Sequence, residues 1–214
     1  MDTTISRREK ERRMREDDII DAAEQVFSTT GYSGASMEEI AKHAQFTRKT
    51  IYQYFADKED LYFAVIIRGF QKLLCYFEEE TQNGKTGFEK LKNLSYAYYK
   101  FYKDFPKTLE LMNYVGYIKS KKEPTPKHEE FNKITELVAQ KIAKIINEGK
   151  EDGSIRKDID TMSGTYSAEF SITGFFHMLS VSGKTFLNHF SLNEEQFIQF
   201  NINLLCDAFR SKNS

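Results

Sequence analysis

The stretch Ser36-Met-Glu-Glu-Ile-Ala-Lys-His-Ala-Gln-Phe-Thr-Arg-Lys-Thr-Ile-Tyr-Gln-Tyr-Phe55 decides how the rest of the chain is read. Ser36 followed three residues later by Glu39 has the form of a capping box, in which hydroxyl and carboxylate satisfy helix-end amides reciprocally. Met37, Ile40, Ala41 and Ala44 recur at spacings of three and four and make one buried stripe. Gln45-Phe46 leaves room only for a turn. Thr47 then caps a second helix, expected over Arg48–Phe55, with Ile51 and Phe55 pointing inward at a spacing of four. Two short helices joined by a tight turn have the layout of a helix-turn-helix, whose second helix fits a major groove. Its outward face carries Arg48, Lys49, Thr50, Gln53 and Tyr54. No acidic residue lies between Thr47 and Ala56, although the chain has 32 acidic against 31 basic residues. Phosphate repels carboxylates, and a helical hairpin that never meets DNA has no reason to exclude them from one face.

Outward from this stretch, Ile19, Ile20, Ala23, Val26 and Phe27 mark the buried face of a preceding helix, capped by Asp17 or Asp18 and ended by Gly31. Before it, Arg7, Arg8, Lys10, Arg12, Arg13 and Arg15 make residues 1–15 a basic arm, either a solvated tail or a strand of charge laid along DNA. After it, Asp57 caps a long helix reaching about Gln82. Lys58 stands in its first turn, where a helix N-terminus can meet a phosphate.

The run Ile20–Tyr32, then Ser36–Phe55, then Asp57–Leu61 resembles the N-terminal domain of TetR-type (TetR/AcrR) transcriptional regulators. An Ala-Ala pair, a Phe, a Gly-Tyr, an Ile-Ala, a Thr-Ile-Tyr-x-Tyr-Phe and a Lys-Glu occur in the family's order and spacing. Gln45 stands at the turn where the family commonly has Gly, and Lys49 where Gly is frequent early in the recognition helix. The pattern along the whole chain reads as an all-α protein of about nine helices. A three-helix helix-turn-helix domain (16–60) would be joined by the long helix to a larger ligand-sensing and dimerisation domain (61–214). The resemblance implies that Lys58 meets a DNA phosphate. Thr47, Arg48, Lys49, Thr50 and Gln53 are the expected base-edge or nearby phosphate contacts; Ser36, Tyr52, Tyr54 and Lys58 are expected to hold the phosphate backbone.

Downstream, helices are expected over 86–103, 106–118, 129–148 and 161–190, and from Ser191, which forms a capping box with Glu194. No segment alternates with period two. The last two helices are expected to pair across a two-fold axis, with Phe186, Phe190, Phe197, Phe200, Leu204 and Phe209 available to the seam. Tyr96, Tyr99, Phe101, Tyr114, Tyr117, Phe175, Phe176 and His177 could instead line a cavity for a bulky apolar or aromatic effector, or simply pack as core.

At 40% hydrophobic residues the chain can fill a sizeable core, and its net charge of -1 excludes a general polyanion binder. Any DNA binding must come from a local patch. His43, His128, His177 and His189 are scattered without metal-ligand spacing, so no metal or cofactor is expected. No catalytic constellation is recognisable, and an enzyme is not expected. No apolar run approaches the roughly 18 residues of a membrane span. With no secretory signal and two cysteines in apolar helical patterns, the chain reads as cytoplasmic. The competing class is a helical small-molecule-binding protein, or an enzyme, without DNA binding.

Overall fold

The structure is a computed structural model that describes residues 6–118 and 123–212, with Tyr117 described in its backbone only. All regular structure among these residues is helical: α1 Arg7–Gly34, α2 Met37–His43, α3 Arg48–Ile51, α4 Lys58–Thr81, α5 Gly87–Asp104, α6 Pro106–Tyr114, α7 Pro126–Asp152, α8 Thr161–Met178, α9 Lys184–His189 and α10 Glu194–Asp207. A π-turn over Leu179–Gly183 joins α8 to α9, so the single helix expected over 161–190 is one helical run with a π-turn in it. No helix among the described residues is long and apolar enough to cross a membrane. The chain forms two compact units, Met1–Gly69 with Tyr114–Asn132, and Phe70–Asn113 with Lys133–Ser214.

In the first unit, α1 begins well before the expected Asp17 or Asp18. Ser6 caps it, accepting the Glu9 amide at 3.2 Å. Ion pairs one turn apart, Arg7 with Glu11 and Arg13 with Glu9, support the added turns. The described part of the basic arm is therefore helix; residues 1–5 of the expected arm lie outside the described residues. Gly31 breaks α1 at φ 70, ψ 169. That backbone region is essentially restricted to glycine. Ile19, Ala23, Val26, Phe27, Ile40, Ile51, Phe55, Leu61 and Tyr62 make the core of this unit. Around Tyr62, Phe27 and Tyr32 each stand edge-on at 4.9 Å, and Tyr114 at 6.3 Å.

In the second unit, the core draws Leu73 and Phe77 from α4, Leu91, Leu94 and Phe101 from α5, Ile142 and Ile146 from α7, Phe176 from α8, and Ile198 and Ile202 from α10. A Cβ at Gly87 would lie 2.1 Å from the Gly149 nitrogen, so the start of α5 and the end of α7 approach as only glycine permits. Thr86 caps α5 as its spacing to Glu89 predicts, at 3.2 Å. Two expected boundaries move. Pro126, expected in a loop, opens α7, because a first helical position needs no N–H. Asn193, not Ser191, caps α10, accepting from Gln196 at 3.0 Å. Ser191 is used differently: it takes a left-handed φ of 52 just after α9.

Candidate nucleic-acid interface

The Ser36 hydroxyl accepts the Glu39 amide at 3.1 Å, starting α2. Phe46 N–H returns to the Ala41 carbonyl at 3.0 Å, closing the turn. Gln45, in the place of the family's glycine, still adopts the left-handed conformation, at φ 56. Thr47 caps α3 through the Thr50 amide at 3.1 Å, and the two threonine hydroxyls lie 2.9 Å apart. α3 ends at Ile51, short of the expected Phe55. Its continuation tightens: Gln53 and Tyr54 donate to the carbonyls of Thr50 and Ile51, each at 3.0 Å, three residues back instead of four. Just beyond it, Ala56 N–H donates to the Asp60 carboxylate at 3.0 Å.

Buried Ile51 and Phe55 hold this segment on the core. Ser36, Thr47, Arg48, Lys49, Tyr52 and Gln53 are exposed, and Thr50, Tyr54 and Lys58 are half-buried. The structure thus brings the nine expected DNA-contact residues into one unit. Arg48 donates to the Tyr52 hydroxyl at 3.3 Å and lies 5.5 Å from that ring, which holds its side chain along the helix.

Lys58 departs from a simple phosphate contact. Its ammonium donates to the carbonyls of Tyr32 at 2.8 Å and Ala35 at 3.0 Å, and lies 4.6 Å from the Tyr32 ring centre. It closes the α1–α2 corner. Further along α4, Arg68 bonds Asp21 and, at 2.6 Å, Glu24. Together these pairings make α1 and α4 antiparallel. The basic run at the start of α1 therefore stands roughly 35 Å of helix, at 1.5 Å per residue, from the corner that Lys58 closes.

The expected effector residues divide. In the second unit Phe176 is fully buried and stacks with Tyr98 at 5.4 Å and Tyr99 at 6.2 Å. Phe175 lies against Phe176 and Phe197. Tyr96 is half-buried, and burial raises its hydroxyl pKa. His177 has a buried Nδ1 without a hydrogen-bond partner among the described residues. Tyr114 belongs to the first unit, its hydroxyl 3.3 Å from Ser33 Oγ. The side chain of Tyr117 lies outside the described residues. Among the described residues no cluster of His, Cys, Asp or Glu could hold a metal ion.

On α8–α10, Phe186, Phe190, Phe200 and Leu204 are exposed as expected, whereas Phe209 is 5% exposed and closes its own core. Sequence reasoning missed the outer face of α8. Met162, Tyr166 and Phe170 recur every four residues, and Phe170 is 77% exposed. The signal was present, since α8 is apolar on all sides, the mark of a helix with more than one covered face.

Residues 19–65 match the family model described as bacterial regulatory proteins, tetR family. The fatty acid metabolism regulator protein of Bacillus subtilis is 34% identical over 82 residues, covering 38% of this chain and 42% of that protein. The HTH-type transcriptional activator FasR of Mycolicibacterium smegmatis is 30% identical over 83 residues, 39% of this chain and 38% of its own. The chain thus spans less than half the length of these relatives. The fold likeness reaches further. The fatty acid degradation regulator FadR from Bacillus halodurans superposes with a TM-score of 0.70 at 22% identity, over 91% of this chain and 99% of that one. FadR from Bacillus subtilis, solved in complex with stearoyl-CoA, gives 0.70 at 21% identity over 89% and 97%. Residues 19–65 are thus similar to the N-terminal domain of tetR-family regulatory proteins, and the fold of the chain is like that of the FadR regulators.

Proposed function

We propose that the protein is a homodimeric DNA-binding transcriptional regulator, a repressor released from its operator by a small apolar or aromatic ligand, acting in the cytoplasm. The observation that carries this reading is the exposed polar and basic surface from Thr47 to Gln53, free of carboxylates and held on a buried Ile51–Phe55 edge. Arg48, Lys49, Thr50 and Gln53 face base edges or adjacent phosphates of one half-site. Ser36, Tyr52 and Tyr54 set register on the phosphate backbone. The exposed apolar residues of α8–α10 supply the two-fold contact, which places two recognition helices about one DNA turn, ~34 Å, apart or a little more.

The effector's place in this reading is the α5–α8 contact around Phe176, where the rings of Tyr98, Tyr99 and Tyr102 gather. FadR from Bacillus subtilis was solved with stearoyl-CoA, so a long-chain acyl-CoA, which would offer its acyl chain as the apolar part, is the first compound to try. For release, the ligand must bind the DNA-free arrangement more tightly, with couplings of about 1–3 kcal/mol being typical.

The test selects duplexes from a random pool with the intact protein and then compares Arg48→Ala with Lys49→Ala. A palindrome is expected to be enriched, and the paired substitution to weaken its binding without loss of helicity or of the dimer. Enrichment of no duplex would leave the helical binding protein or enzyme as the better reading. Phe170→Asp with Phe200→Asp is expected to yield monomers in sedimentation; intact dimers would remove α8–α10 from the interface.

A further inference from the structure

Asp60 carries more hydrogen bonds than its place in a helix requires. It is 3% exposed. One carboxylate oxygen accepts the Ala56 amide at 3.0 Å, and the other accepts the Lys127 amide at 3.0 Å. Ala56 directly follows Phe55, the inward anchor of the recognition segment. Lys127 is the second residue of α7, and Pro126 before it has no N–H, so this is the first amide the helix offers.

Neither helix start depends on Asp60. Asp57 caps α4 through the Asp60 amide at 3.0 Å, and Thr125 meets the His128 amide at 3.3 Å. The neighbouring contacts pull the same way. The Lys127 ammonium reaches Glu130 at 3.0 Å and Glu16 at 3.2 Å, and the His128 ring stacks on Phe63 at 4.5 Å.

We propose that Asp60 is a positioning residue: a buried clasp that ties the first turn of α7 to the backbone just after the recognition helix. The inference rests on the DNA-binding reading of the head. α7 runs on to Asp152, and from Lys133 it belongs to the second unit. A shift of α7 is then delivered through one carboxylate to Ala56, and from there to Tyr54 and Gln53. The clasp acts without touching DNA.

The experiment combines amide hydrogen exchange with a double-substitution cycle on operator binding. In the unaltered full-length protein the Lys127 amide is expected to be protected. In Asp60→Asn, whose single carbonyl oxygen serves only one of the two amides, protection of either the Lys127 or the Ala56 amide is lost, while α7 amides beyond Phe131 keep theirs, and operator affinity falls about tenfold. Lys127→Pro, which deletes the amide, is expected to cost a similar factor, Lys127→Ala much less, and Asp60→Asn with Lys127→Pro no more than either alone. Free exchange of the Lys127 amide in the unaltered protein overturns the clasp, as do multiplying losses in the double variant. Should Asp60→Asn fail to fold, the comparison of Lys127→Pro with Lys127→Ala decides: equal losses refute the clasp. If no duplex is bound at all, the DNA reading fails and the exchange data judge the clasp by themselves.

Discussion

Replacing Lys58 by methionine separates two roles for this residue that the sequence alone merges. If it served only as a phosphate contact, Lys58→Met would leave the free protein as stable as before and reduce the salt slope of operator binding by about one counterion. The structure gives the ammonium other partners, the carbonyls of Tyr32 at 2.8 Å and Ala35 at 3.0 Å, with the Tyr32 ring at 4.6 Å. A hydrogen bond to a charged group contributes about 1.5–3 kcal/mol, and a cation over a ring about 0.5–1 at a partly exposed site. One ammonium shared between two acceptors, half-buried, contributes less than the sum, so a loss of about 2–4 kcal/mol is expected. Methionine keeps most of the side chain's volume, so packing changes little. For a chain of this size each kcal/mol moves the midpoint by about 2–4 °C. Thermal melting without DNA should therefore drop by roughly 5–15 °C. An unchanged midpoint would refute the structural role.

Three further substitutions test separate parts of the argument. Gln45→Gly is expected to raise stability by about 0.5–1 kcal/mol, because a left-handed residue with a side chain costs about 1–2 and the freedom of glycine in the unfolded chain returns part of it; a lower melting temperature would contradict the φ of 56. Removal of residues 1–15 is expected to leave the salt slope of operator binding unchanged, since the basic run stands at the end of α1 away from Lys58; a slope flattened by two or more counterions would put the arm on DNA. Asp152→Asn is expected to destabilise the second unit at neutral pH. Burial alone would raise the Asp152 pKa, but hydrogen bonds from Ser154 and the Gly87 amide, with Lys90 nearby, bring it below the ordinary value. A carboxyl with a lowered folded pKa stabilises above its unfolded pKa of about 4 and loses that contribution as pH falls through the folded value. The gap between wild type and variant in chemical denaturation should therefore close below pH ~4, and a gap that persists there would refute the assignment.

The head was legible because its signals are local. Ser36, Thr47, Asp57 and Thr86 cap where their spacing says, since a cap needs only residues three positions away. Local signals failed where two of them competed. Ser191 with Glu194 has the same form as Ser36 with Glu39, yet Asn193 lies nearer the helix and takes the cap, leaving Ser191 to make the left-handed turn. Ser6 with Glu9 was passed over because the charge around it reads as a tail. The tertiary ties were not legible at all. Nothing in the spacing of Asp60 and Lys127, 67 positions apart, announces a hydrogen bond, and although Gly31 marks the break in α1, nothing in the sequence brings Lys58 to the carbonyls of Tyr32 and Ala35 that follow it.

The short recognition helix and the apolar outer face of α8–α10 belong to one argument. α3 has four helical residues, and its tightened tail presents Tyr52 and Gln53 as its last exposed side chains. So small a surface reaches only a few base pairs, and at about 1–3 kcal/mol per mismatched pair it discriminates too weakly to single out one site among a genome's competitors. Doubling the surface on a rigid spacing is the economical remedy, and it requires a strong contact elsewhere in the chain. Phe170, Val181, Phe200 and Leu204, each more than half exposed, are costly to leave in water and well suited to such a contact. On this reasoning, a variant that loses the α8–α10 face keeps a folded head and non-specific affinity for DNA, yet loses preference for the palindrome. If monomers retain that preference, the four-residue helix reads more of the sequence than its length permits, and the pairing argument falls.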